Sequence, residues 1–104
     1  MGSASDEAHV KATLDVLEQM GIDYEARVIS AHHTPDGVQA YAASARDRGI
    51  EVIIAAAGVS AALSGALASQ TTLPVIGIPL TSSDLKGIDA LMSTAQMPPG
   101  VPVA

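Results

Sequence analysis

The chain has no cysteine, no phenylalanine and no tryptophan in its 104 residues. Without cysteine there is no disulfide, no thiol nucleophile and no Cys-ligated metal centre. Tyr24 and Tyr41 are its two aromatic residues, so the core must come from Ile, Val, Leu, Met and Ala, which bury less area per residue than aromatics do. Basic residues are also few. Five Lys and Arg stand against eleven Asp and Glu, a formal net charge of −6. Nucleic-acid binding needs concentrated cations to neutralise phosphates; five scattered ones do not supply them, and an acidic surface argues against anionic membranes. No apolar run approaches the ~20 residues of a membrane span. The amino end lacks the basic and apolar regions of a signal peptide. These absences leave a soluble cytoplasmic protein as the expectation, with a single domain over residues 1–104. A chain of this size buries only about 64% of its unfolded surface, so the core is small and oligomerisation would add much to it.

What is present is an alternation of helix and strand patterns. Asp6 to Met20 reads as an amphipathic helix, with Val10, Leu14 and Leu17, and less strictly Thr13 and Met20, on one face. Ser5 suits its N-cap and Gly21 its C′ position. Ile22 to Ile29 alternates as a strand, with Ile22, Tyr24, Ala26 and Val28 on one side. Thr34-Pro35-Asp36 starts a second helix, Thr34 as N-cap and Pro35 at N1, running to about Arg48 before Gly49. Its Val38, Tyr41, Ala42 and Ala45 face inward. Glu51 to Ala57 carries a continuous apolar run, the mark of a strand covered on both faces. Ala61 to Gln70 reads as a short helix, Leu73 to Ile78 as a strand, and Ile88 to Ser93 as a helix. Val103-Ala104 reads as the start of a further strand. The order predicts right-handed βαβ units and a parallel sheet between two helical layers. A fold of this kind normally begins with a central strand, whereas here a helix comes first. Both ends therefore read as clipped from a larger domain, and the isolated chain is expected to be poorly soluble or obligately oligomeric, since a lost central strand exposes sheet edges.

Three segments could carry chemistry. Ser30-Ala31-His32-His33-Thr34-Pro35 puts two of the three histidines at a strand-to-helix junction, where α/β proteins bind ligands. Histidine titrates nearest neutral pH, which suits a general acid or base. In an extended loop, adjacent side chains point apart, so at most one of His32 and His33 should face a given site. The alternative is that one caps or packs and the other is solvated. With no Cys, Asp or Glu nearby the pair makes a poor metal site, and His9 lies off the apolar stripe of its helix. Gly2-Ser3-Ala4-Ser5-Asp6 precedes a helix N-terminus, where free N–H groups and two hydroxyls can cradle a phosphate; ordinary capping by Ser5 is the competing account. Asp6 would repel a phosphate but could accept hydrogen bonds from ribose hydroxyls. Around Gly58, Ala55 to Gly65 is mostly small residues, permitting close backbone approach to a flat ligand or close helix–strand packing.

Together these segments resemble the 5-(carboxyamino)imidazole ribonucleotide mutases and related aminoimidazole ribonucleotide carboxylases of purine biosynthesis, the PurE family. The family's Gly-Ser-x-Ser-Asp is met by Gly2 to Asp6, and its Ser-Ala-His-Arg-Thr-Pro by Ser30 to Pro35 except at His33. Its glycine-rich loop corresponds to Ala55 through Gly65, and Thr71 to Gly77 and Gln96 to Ala104 also match. The sequence departs from the pattern at His33 (Arg), Ala56 and Val59 (Gly), Ala62 (His), Ser64 (Pro) and Lys86 (Asn or Ser).

The resemblance implies a flavodoxin-like three-layer α/β/α fold, here incomplete at both ends, and a homo-octamer with sites built between subunits. It implies a reaction on an imidazole ribonucleotide that uses no cofactor and no metal, with carbon dioxide moving from the exocyclic nitrogen to ring carbon C4. His32 takes the place of the family's catalytic histidine. Gly2, Ser3, Ser5 and Asp6 would hold the ribose and its phosphate, with His33 at the position of a phosphate-binding arginine. Ser30, Ala31, Ala57 and Gly58 would line the base and carboxylate region. Two other readings stand beside the mutase: a carboxylase using free carbon dioxide, and a nucleotide-binding module without catalysis. Lys86 could return a positive charge if it reaches the site.

Overall fold

Two short apolar runs pair at the centre of the molecule. In the computed structural model, which describes every residue from Met1 to Ala104, β1 (Ile53–Ala57) lies parallel to β2 (Val75–Pro79), with Ile53 opposite Val75 and Ala57 opposite Pro79. Ile53 and Ala57 turn their backbone groups toward β2: the Ile53 N–H donates to Pro74 C=O, and Ala57 C=O accepts from Leu80 N–H, both at 2.9 Å. Strand geometry alternates these directions, so Ile54 and Ala56 present theirs to the opposite edge. There Ala56 C=O accepts from Gly2 N–H at 3.0 Å. Met1 in turn bonds the next segment, its ammonium donating to Arg27 C=O at 2.7 Å and its C=O accepting from Ile29 N–H at 2.9 Å. Beyond β2, Ala104 N–H donates to Val75 C=O at 3.0 Å and its C=O accepts from Gly77 N–H at 2.8 Å.

Across the sheet the order is therefore Ile22–Ile29, Met1, β1, β2, Ala104, all parallel. In chain order these positions are second, first, third, fourth and fifth, the flavodoxin-like arrangement with its switch point between the first and third. At Val103-Ala104, where a strand was expected to start, the structure shows only those two hydrogen bonds of Ala104 to β2.

The helices cover both faces. Helix α1 (Glu7–Gln19) packs Val10 with Ala56 and Leu80 on one side. On the other, α2 (Pro35–Ala45) and α3 (Leu63–Ala68) bring Val38, Ala42, Ala45, Leu63 and Leu67 against Ile53, Ala55 and Val75. Helix α4 (Ile88–Ala95) lies along β2, where the Thr94 methyl occupies the space that a Cβ on Gly77 would need. Gly21, at φ +67°, ends α1 as expected: Ile22 N–H reaches back to Leu17 C=O at 2.9 Å.

Several expectations are corrected. Ile22–Ile29 is extended but forms no ladder. No backbone N–H from Asp23 to Val28 donates to another backbone group, and Ile22, Tyr24 and Val28 are exposed. Alternation specifies an extended chain, but pairing needs neighbours, and Met1 is the segment's one backbone partner toward the sheet. For the same reason Met20 at the end of α1 is 67% exposed rather than packed. Ser5 is not the cap. Ser3 caps the 3-10 turn Ala4–Asp6 that leads into α1, its Oγ accepting from Ser5 N–H at 3.3 Å. Thr34 precedes α2 without capping it, because its hydroxyl accepts from Ser30 N–H and donates to Ser30 C=O instead.

Side chains supply part of what the ladder does not. Glu25 accepts hydrogen bonds from Arg48 and, at 3.4 Å, from Arg27, and the Arg48 guanidinium sits 5.5 Å from the Tyr41 ring centre. The Arg48 hydrogen bond holds the Glu25 carboxyl below its ordinary 4.5. A carboxylate with a depressed folded-state value adds stability above the unfolded value and loses it as pH falls through the folded one. The thermal midpoint of Glu25→Gln should therefore lie below that of the parent chain at pH 7, and the gap should close as pH is taken below 4.5. A gap that persists unchanged to pH 3 in scanning calorimetry contradicts this. A second expectation concerns Val59, a β-branched residue at φ +57° with its side chain mostly in solvent. The left-handed region costs a non-glycine residue about 1–2 kcal/mol, and glycine returns about 0.5–1 kcal/mol as extra unfolded-state entropy. Val59→Gly should raise stability by up to about 1 kcal/mol in urea titration; a lower midpoint denaturant concentration refutes the strain account.

Candidate functional site

A hollow of about 370 Å³ opens at the carboxyl ends of the strand positions, over the switch point. It is bordered by Gly2, Ser3, Ser5 and Asp6 from the turn before α1, by Ser30, Ala31, His32 and His33 from the loop before α2, and by Ala57 and Gly58 after β1. The structure thus brings together all ten residues singled out in the sequence. Val59, Ser60, Ala62, Leu63 and Ser82 complete the rim.

Each wall is shaped by short-range chemistry. In the first turn, Asp6 is buried and its Oδ2 accepts from Ser3 N–H at 3.0 Å, while Ser3 Oγ and Ser5 Oγ lie 2.9 Å apart. Two hydroxyls therefore face the hollow with a fixed carboxylate behind them. In the second loop, the Ser30–Thr34 exchange is reinforced by Thr34 N–H donating to Ser30 C=O at 2.9 Å and His33 N–H to Ser30 Oγ at 3.1 Å. This closes residues 31–33 into a turn. His32 and His33, of which only one was expected to face a given site, both border the hollow.

Gly58 makes the third wall possible. A Cβ there would collide with Ser82 Oγ and come within 3.0 Å of its Cβ. The loop after β2 can therefore close over the end of β1 only if residue 58 has no side chain. Ser82 and Ser60 escaped the sequence reading. Ser82 lies in a Ser-Ser run following a strand, which signals a loop but not which strand end that loop covers.

The polar groups at the rim are five serine hydroxyls, two imidazoles, the Asp6 carboxylate and backbone N–H groups; no Lys or Arg is among them. Lys86 lies outside the lining, on an exposed turn at φ +51°, and does not return the missing charge. An anion held here must rely on the N–H groups and hydroxyls at the start of α1 and on His33. A flat ring can lie against Ala57 and Gly58, where no long side chain intervenes.

Known proteins with this sequence pattern match along its entire length. A protein of Saccharolobus solfataricus named N5-carboxyaminoimidazole ribonucleotide mutase is 56% identical over 104 residues, which is 100% of this chain and 66% of the relative. Proteins of the same name from Aquifex aeolicus and Bacillus subtilis are each 54% identical over 104 residues, covering 62% and 64% of their lengths. The chain thus spans somewhat less than two thirds of the relatives it matches. Residues 1–104 match the AIR carboxylase family from end to end, and the chain belongs to that family.

Proposed function

We propose that the hollow binds an imidazole ribonucleotide and that the protein interconverts N5-carboxyaminoimidazole ribonucleotide and 4-carboxy-5-aminoimidazole ribonucleotide in purine biosynthesis. The observation that carries this reading is the convergence of the Gly2–Asp6 turn, the Ser30–His33 turn and Gly58 on one rim. It is supported by the mutase name borne by relatives at 54–56% identity.

The chemistry follows from what each wall offers. Ser3, Ser5 and the free N–H groups of the first turn take the 5-phosphate, and Asp6 accepts from ribose hydroxyls. The imidazole ring lies against Ala57 and Gly58, with Ser30 and Ala31 at its edge. The N–C bond to the carboxylate breaks, the electron pair returns to the exocyclic nitrogen as a proton arrives from His32, and carbon dioxide is released within the hollow. Ring carbon C4 then attacks that carbon dioxide. The new C–C bond forms, and the C4 proton passes back to His32, restoring aromaticity. Atoms and charge balance with no redox partner, and one imidazole serves as acid and then base. Small residues around Gly58 permit a close fit that keeps water from carbon dioxide. The assembly belongs to the same proposal: a cytoplasmic homo-octamer in which neighbouring subunits complete each site. A thin, small-residue core, with only 16 of 104 residues buried, favours such association.

An ultraviolet assay of the conversion should show His32→Asn slower by at least about 10²-fold, the range lost with a general acid–base group; equal rates for the variant and the parent sink the assignment. His33→Arg should lower KM about fivefold with little change in kcat, because a guanidinium fork grips phosphate better than an imidazole. An unchanged or raised KM places the phosphate elsewhere. Product formation that needs added bicarbonate identifies the carboxylase reaction instead.

A further inference from the structure

The hollow that receives the ribonucleotide has no fixed cation on its walls. All five Lys and Arg of the chain stand outside its lining. Four are engaged elsewhere: Lys11 with Asp15, Arg27 and Arg48 with Glu25, and Arg46 with the Thr72 hydroxyl. The one carboxylate in the lining, Asp6, is buried and adds negative charge to the wall. A ribonucleotide brings a phosphate of about −1.5 to −2 charge at pH 7 to a chain whose own net charge is −6. Hydroxyls and N–H groups at the start of α1 can bond that phosphate, but the helix end supplies only about half a positive charge.

The imidazoles of His32 and His33 are thus the two side chains of the lining that can become positive. Their duties separate. In the proposed reaction His32 gives up its proton and takes it back, so it cannot stand as a lasting counter-charge. His33 has no such duty. Its backbone N–H is fixed on Ser30 Oγ at 3.1 Å, and its side chain is in contact with solvent, where it can exchange protons. The titratable groups that share the hollow with it are Asp6, from the turn before α1, and His32, from its own turn. The segments after β1 and β2 add none to the lining. Asp36 in the first turn of α2, and Asp84 and Lys86 beyond Ser82, lie outside it.

We propose that His33 couples ribonucleotide binding to the uptake of a proton: it meets the phosphate as an imidazolium, so the site loses affinity as pH rises above neutral. The coupling rests on the ribonucleotide reading of the hollow and adds a regulation to it. A bound anion favours the protonated imidazole. The added binding is therefore full at low pH and is lost as pH climbs through the range where the bound form gives up its proton. A guanidinium stays charged throughout that range and brings no such dependence.

The test is calorimetric titration with 5-aminoimidazole ribonucleotide from pH 7 to pH 9, in bicarbonate-free buffer so that no carboxyl transfer follows. The phosphate's own second ionisation, near about 6, lies below that window. For an imidazole of ordinary basicity favoured by about one pH unit, the dissociation constant should grow about threefold across the window, with about 0.4 proton taken up per site at pH 7.5. Comparing buffers of different ionisation enthalpy reads the uptake. His33→Arg should bind more tightly, with no slope and no uptake. His33→Gln should bind weakly, also without slope. Because His33 is exposed, neither substitution disturbs the core. Binding by the parent chain with a flat profile overturns the proposal and leaves the ribonucleotide reading standing. So does a slope that survives in both variants, which assigns the proton to another group. No binding by the parent chain at pH 7 overturns both.

Discussion

Two residues of main chain hold the sheet together across its switch point. Met1 bonds Arg27 and Ile29 on one side, and Gly2 bonds Ala56 on the other. Through these contacts the Ile22–Ile29 segment is positioned against β1, and with it the Ser30–His33 turn that follows. The same two residues lead into the Gly2–Asp6 turn. The geometry of both polar walls of the candidate site therefore depends on how Met1 and Gly2 pair with the segments on either side. The Glu25–Arg48 contact and the packing of Val10 and Ile29 support the same alignment.

A second constraint is the size of side chains. The core clusters contain Ala42, Ala45, Ala55 and Ala56, and no large side chain is fully shielded from solvent. Layers built from such residues approach closely and bury little area per contact. Gly58 under Ser82 and Gly77 under Thr94 are the same solution at single positions. What the fold loses in apolar area it gains in narrow clearances between backbone segments.

Much of this was legible from local pattern. The continuous apolar runs marked β1 and β2, and the three-to-four spacing of Val38, Ala42 and Ala45 marked the buried face of α2. Family motifs in register pointed to ten residues that the fold gathers around one hollow. The misreadings have a common physical origin. Ser5, Thr34 and Met20 were assigned by what each residue type prefers next to a helix. Ser3 and Ser30 competed successfully for the relevant donors and acceptors, and Met20 had no layer to pack under. The segment Ile22–Ile29 has the alternation of a strand, but a strand is a property of two chains.

By itself the sequence determined the order of helical and extended segments, the apolar faces of the central elements, and the residue types available for proton transfer and phosphate binding. These depend on neighbours three or four positions away, where propensity and periodicity act. Only the tertiary structure decided which segments pair, that both histidines border the same hollow, and that Ser82 closes over Gly58. Those outcomes depend on contacts between residues dozens of positions apart, and their energies come from hydrogen bonds and clearances that no local pattern encodes.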